Sequence, residues 1–169
     1  VFSGDIGREQ SELLSAPNPL VNTNFLIMES TYGDKNHPDI KPSEQLAHII
    51  SDTVQKHGTI LIPSFAVGRT QELMYIINKL KQSNQIPPIP IYVDSPMGAD
   101  ATEIFVKYPN WHKLSANQVE DLCKDIHIIR DSRETHEIIG MRKSKIIIAG
   151  SGMVTGGRML EYLKYYSDD

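Results

Sequence analysis

Thr59-Ile60-Leu61-Ile62-Pro63-Ser64-Phe65-Ala66-Val67-Gly68-Arg69-Thr70-Gln71-Glu72-Leu73 is the stretch whose reading decides the fold. Its first four residues are bulky and mostly aliphatic, the pattern of a short strand buried on both faces, and Pro63 is expected to stop it. After a turn containing Gly68, apolar residues recur at Leu73, Ile76, Ile77 and Leu80, the spacing of an amphipathic helix. The same alternation extends in both directions. Upstream, Pro42 and Ser43 open a helical pattern with Leu46, Ile49, Ile50 and Val54 that ends near Gly58, and Phe25-Leu26-Ile27-Met28 has strand length before it. Downstream, Pro87-Pro88 closes the helix and residues 89–93 form the next strand, with a helix expected over about 99–107. Ser115-Ala116-Asn117-Gln118 has the form of a capping box, so another helix begins there. Residues 126–129 and 146–149 are two more strands, and a last helix starts at about Gly157. Apolar strands alternating with amphipathic helices predict an α/β fold: a mostly parallel, Rossmann-like sheet of about five strands with helices on both faces.

Composition agrees with a globular domain. Hydrophobic residues make up 40% and charged residues 22% of 169, ordinary usage that argues against a disordered chain or a coiled coil. No apolar run reaches the roughly 18 residues of a membrane span, so no membrane partner is expected. Cys123 is the one cysteine, too few for an internal disulfide or a thiolate metal site, and a cytoplasmic setting is expected. The net charge of -4 disfavours non-specific nucleic-acid binding but leaves room for a local phosphate site. The opening at Val1 without a Met, and the helical close at Asp169, read as the ends of an excised piece.

Three strands run into unusual polar sequence: Glu29-Ser30-Thr31-Tyr32-Gly33 after the first, Ser64 to Glu72 after the second, and Gly150-Ser151-Gly152-Met153-Val154-Thr155-Gly156-Gly157-Arg158 after the last. In a parallel sheet all three meet at the carboxyl edge, where open α/β folds bind ligands. The glycine segment is neither a P-loop nor a dinucleotide fingerprint; it either cradles an anion through its amides or is a tight strand-to-helix turn. Arg69 can fork two hydrogen bonds onto a phosphate or face solvent, and Thr70 can cap its helix or touch the ligand. Glu29 ends an apolar strand, where a carboxylate requires a partner. Asp5, after Phe2-Ser3-Gly4, is a turn aspartate that can point into a cleft. The six histidines do not fall at the close spacings favoured by metal sites.

Taken in order, Phe2-Ser3-Gly4-Asp5-Ile6-Gly7, Glu29-Ser30-Thr31-Tyr32-Gly33, Pro63 to Leu73, Asp94-Ser95-Pro96-Met97 and Gly150 to Arg158 resemble the β-CASP branch of the metallo-β-lactamase fold, a family of RNA-processing nucleases. The resemblance covers essentially the whole chain. It implies a parent enzyme in which two zinc ions activate water against an RNA phosphodiester. It implies that Asp5 is similar to the family's metal-bridging aspartate and that Glu29 is similar to the catalytic acidic residue of the first β-CASP motif. It places Ser64, Arg69, Thr70, Ser95, Ser151, Gly152, Thr155 and Gly156 along the substrate path. The implied domain division is residues 1–21 as the tail of the metallo-β-lactamase domain and residues 22–169 as the β-CASP domain. The implied partners are RNA and the remainder of the metallo-β-lactamase domain, with a homodimer of the parent as a further arrangement.

The family's histidine-rich zinc motif is missing from these residues, and so are its later histidines; of the usual ligands only Asp5 is present. The chain alone is therefore expected to be inactive and to bind zinc weakly or not at all. Two other readings stand beside this one: a separate Rossmann-like module for a nucleotide or phosphorylated metabolite, and a β-CASP paralogue that has lost its metals and serves as a scaffold. The sequence does not separate exonuclease from endonuclease.

Overall fold

The computed structural model describes residues 1–7, 11–36, 40–151 and 153–167. Its elements run α1 (Pro42–Gln55), β1 (Thr59–Ser64), α2 (Arg69–Gln82), β2 (Ile91–Asp94), α3 (Pro96–Lys107), a 3₁₀ turn (Pro109–Trp111), α4 (Ala116–Leu122), β3 (Ile126–Ile129), α5 (Ser132–Gly140), β4 (Lys145–Gly150) and α6 (Met159–Tyr166). The strands form one sheet in the order β1-β4-β2-β3, and every pairing is parallel.

β4 lies inside the sheet and shows why it is covered twice. Ile146 and Ile148 point to one face, against Ile50 of α1, Met74, Ile77 and Leu80 of α2, and Leu122 of α4. Ile147 and Ala149 point to the other, against Ile138 of α5 and Met159 and Tyr162 of α6. Successive side chains of a strand alternate between faces, so a run of isoleucines serves two cores at once. The α/β fold with helices on both faces is thus the observed one.

Three local expectations are corrected. Pro63 does not stop β1; the strand continues to Ser64, with Pro63 opposite Ala149. β1 is an edge strand, where a residue without an N–H loses nothing on its open side. Residues 132–140, left without an element by the apolar pattern, are α5, started by Asp131, whose carboxylate accepts from the Arg133 amide at 2.9 Å.

The third correction concerns the first expected strand. Residues 25–28 are not in the sheet: Phe25, Leu26, Ile27 and Met28 are exposed, and Ile27 forms a parallel bridge with Phe2. Val1 and Ser3 complete this small ribbon, with Ser3 N donating to Ile27 O at 3.0 Å and Ile27 N to Val1 O at 2.9 Å. Among the described residues the sheet therefore has four strands, not five. An apolar run signals a need for burial without stating which sheet supplies it.

Candidate functional site at the carboxyl edge

Register brings the strand ends together. Ser64 lies opposite Gly150, and Asp94 opposite Ala149, so Ser95 comes beside Gly150. The Ser151 amide donates to Ser64 O at 3.2 Å. Ser64, Ser95 and Ser151 thus form a buried row at one edge.

Their hydroxyls are used differently. Ser64 Oγ donates to Phe65 O at 3.2 Å and accepts from Thr70 Oγ1 at 3.1 Å. Ser95 Oγ caps α3, accepting from the Gly98 amide at 3.0 Å. Ser151 Oγ has no hydrogen-bond partner among the described residues, although the residue is only 7% exposed. A buried hydroxyl without a partner costs free energy unless a ligand or water completes it. Gly152 lies outside the described residues. Thr155 and Gly156 lie exposed in the loop beyond, which ends at Gly157 with φ +80°.

The loop after β1 is shaped from within. Gly68 is the N-cap of α2 at φ 79°, and its amide donates to Gln71 Oε1 at 2.8 Å. Buried Gln71 in turn donates to Ala66 O at 3.2 Å and to Thr102 Oγ1 of α3 at 2.9 Å. Thr70 is 1% exposed, and its hydroxyl donates to Phe65 O at 2.7 Å, so it braces the loop and does not cap α2. Arg69 is half-exposed, held by Glu72 at 2.6 Å.

Asp5 and Glu29 come together away from the sheet. Glu29 Oε1 accepts from the Ile6 amide, next to Asp5, at 2.7 Å, and the Glu29 amide donates to Ser3 Oγ at 3.1 Å. Contrary to expectation, Glu29 is carried by the ribbon and not by the sheet. Even so, Asp5 reaches the same side as Arg69: a cleft of about 620 Å³ is lined by Asp5, Ile6, Phe65, Gly68, Arg69 and Glu72 among others.

A zinc site takes three or four protein ligands. Among the described residues no three His, Cys, Asp or Glu side chains gather closely enough to hold a metal. The residues present do not by themselves fit a zinc centre.

One cluster at this edge escaped the sequence reading. Asp94 is fully buried at the end of β2, accepting from Thr135 Oγ1 at 2.6 Å and Tyr162 Oη at 2.7 Å and pairing with Arg158. Arg158 also donates to Arg130 O at 2.7 Å. Burial, then the hydrogen bond to Asp94 and its charge, push the Tyr162 phenol far above the usual tyrosine range, so it stays a donor. The available signal was the one applied to Glu29: a carboxylate that ends an apolar strand.

A family model described as the Beta-Casp domain matches residues 70–169. An RNase J-like protein of Methanocaldococcus jannaschii is 36% identical over 99% of this chain, which covers 40% of that protein. Transcription termination factor FttA of Methanothermobacter thermautotrophicus is 37% identical over 100% of the chain, which covers 28% of it. A ribonuclease of Thermus thermophilus is 28% identical over 100% of the chain, which covers 40% of it. The chain thus spans less than half the length of each of these relatives.

Proposed function

This chain belongs to the β-CASP domain family, and from that premise we propose that it is the RNA-holding portion of a zinc-dependent, metallo-β-lactamase-fold hydrolase of RNA phosphodiesters. The observation that carries the reading is the meeting of Asp5, Arg69 and Glu72 on one cleft, together with a strand-end row whose buried Ser151 hydroxyl has no partner among the described residues. Arg69 turns from Glu72 to a phosphate oxygen, a charge-assisted exchange in a half-exposed position. Ser151 donates to the same strand, and the loop amides near Thr155 and Gly156 add positive ends of the backbone dipoles. Ser64, Ser95 and Thr70 act beneath this layer, fixing the loops that carry it.

Asp5 would supply one ligand to a metal centre completed by residues other than these, and Glu29 orients the neighbourhood of Asp5 through the Ile6 amide. No hydrolytic step is assigned to this chain alone. Its exposed ribbon of Phe2 and residues 25–28 is the surface on which the metallo-β-lactamase portion packs. Names of relatives that refer to RNA cleavage and to transcription termination are compatible with this placement.

The test uses the full-length protein and this chain side by side, with labelled single-stranded RNA. The full-length protein cleaves it and this chain does not. Arg69→Ala in the full-length protein weakens RNA binding about tenfold, the size of one charge-assisted hydrogen bond. Cleavage by this chain that survives repurification, or unchanged affinity in the Arg69 variant, overturns the proposal.

A further inference from the structure

The described residues of 1–36 are hydrogen-bonded to the α/β body at a single turn. Among the described residues, every hydrogen bond from residues 1–36 to the body passes through Ser11, Glu12 or Leu13. The Lys113 amide donates to Leu13 O at 2.9 Å, Lys113 Nζ to Ser11 O at 3.0 Å, and Lys79 Nζ to Glu12 at 2.8 Å. Ser11 shapes the turn, its Oγ accepting from the Leu13 and Leu14 amides at 3.2 and 3.0 Å. The turn delivers Leu13, only 2% exposed, onto Leu114 and Val119, with Tyr75 and Phe105 packed around them.

We infer that this turn is a latch and that Leu13 is a positioning residue, holding the Asp5-bearing segment across the loop that carries Arg69. The polar contacts are not what holds it. Lys79 and Glu12 are 60% and 55% exposed, and ion pairs in water contribute little. Burial of a whole leucine side chain is the larger effect. The geometry then propagates along the chain. Asp5 precedes Ser11 by six residues, so a fixed Ser11 keeps Asp5 within about 20 Å. At its other end Asp5 is tied into the ribbon, because Glu29 binds both the Ile6 amide and Ser3 Oγ. Releasing Leu13 therefore frees Asp5, Glu29 and the ribbon as one unit, and the cleft that Asp5 and Ile6 share with Arg69 loses one wall. The consequence for RNA rests on the function proposed above; the latch itself does not.

The test has two arms. In a Cys123→Ser background, spin labels at Asn18→Cys and Gln82→Cys report the distance between the segment and the body by pulsed electron paramagnetic resonance. A single narrow distribution is expected, broadened at least twofold by Leu13→Ala and restored by Leu13→Met, which fills a similar volume. Leu13→Val gives an intermediate width, and circular dichroism verifies that each variant keeps its helices. Because Leu13 lies outside the main core, the body stays folded. A narrow distribution in folded Leu13→Ala, or no restoration by Leu13→Met, overturns the latch. In the second arm Leu13→Ala in the full-length protein raises the Kd for single-stranded RNA about tenfold, and Leu13→Met less than twofold. Broadening with unchanged affinity overturns the positioning role. If the unmodified protein binds no RNA, the proposed function falls while the distance arm still decides the latch.

Discussion

Asp94 shows how a single side chain can organise an edge. Its carboxylate is fully buried and takes a hydroxyl from α5, a phenol from α6 and the Arg158 guanidinium. Breaking one partner of a buried pair leaves an uncompensated charge, so Asp94→Ala is expected to lower stability by about 3–5 kcal/mol in urea unfolding. Asp94→Asn keeps an oxygen acceptor for Thr135 and Tyr162 and should cost clearly less. The Tyr162 phenol stays protonated under Asp94, so ultraviolet titration of the folded chain should leave one of its seven tyrosines un-ionised after the others have titrated. A loss of all seven in one ordinary step would show that the network is open. The legibility of this edge was uneven for a physical reason. Ser64, Ser95 and Ser151 each follow an apolar strand, so adjacency in sequence exposed them. The partners of Asp94 lie 41, 64 and 68 residues away, and no local pattern links them.

At the scale of elements, the turn from β4 to α6 separates glycines that the chain requires from those it tolerates. Gly157 sits at φ +80°, and a Cβ there would run into the Gly150 carbonyl; Gly156 faces open space and has no positive φ. Gly157→Ala should therefore cost at least about 1–2 kcal/mol in thermal or urea unfolding, while Gly156→Ala should be close to neutral. Equal effects would mean that the turn has another conformation. α5 was invisible to the apolar pattern because its buried face rests on Thr135 and Ile138, and its start is set by a polar cap. That cap carries a pH signature. The Arg133 guanidinium and amide hold the Asp131 carboxyl below its ordinary value of 3.8. A carboxyl lowered on folding stabilises above its unfolded pKa and loses that contribution as pH falls through the lowered value. Asp131→Asn should lower stability in urea unfolding at neutral pH, where that contribution is fully present, and converge with the unchanged protein well below about pH 4, which flattens the acid limb.

The molecule as a whole divides where its burial divides. The alternation of strand and helix was legible because each strand end and helix start is local in sequence. The fate of Phe25 to Met28 was not, since these residues bridge Val1 to Ser3 and leave their apolar side chains in the open. Among the described residues, both large cores draw only on residues after the ribbon, from Leu46 onward, and Leu13 is the one buried side chain of residues 1–36 in any core cluster. Residues 40–169 should therefore unfold cooperatively by themselves, in a single transition seen alike by fluorescence and circular dichroism. Loss of Leu13 should lower their stability by about 2–3 kcal/mol relative to the whole chain. The ribbon predicts a second difference. Phe2 is 80% and Phe25 85% exposed, with Val21 at 78%, and Leu26, Ile27 and Met28 also stand in solvent. Such surfaces associate, so sedimentation of residues 1–169 should show concentration-dependent self-association that removal of residues 1–36 abolishes. A shortened chain that melts without a cooperative transition would make the ribbon part of the folding unit. Association that persists after the deletion would move the sticky surface elsewhere, with the groove of Val67, Ile104, Tyr108 and Trp111 a place where large apolar side chains stand together in solvent.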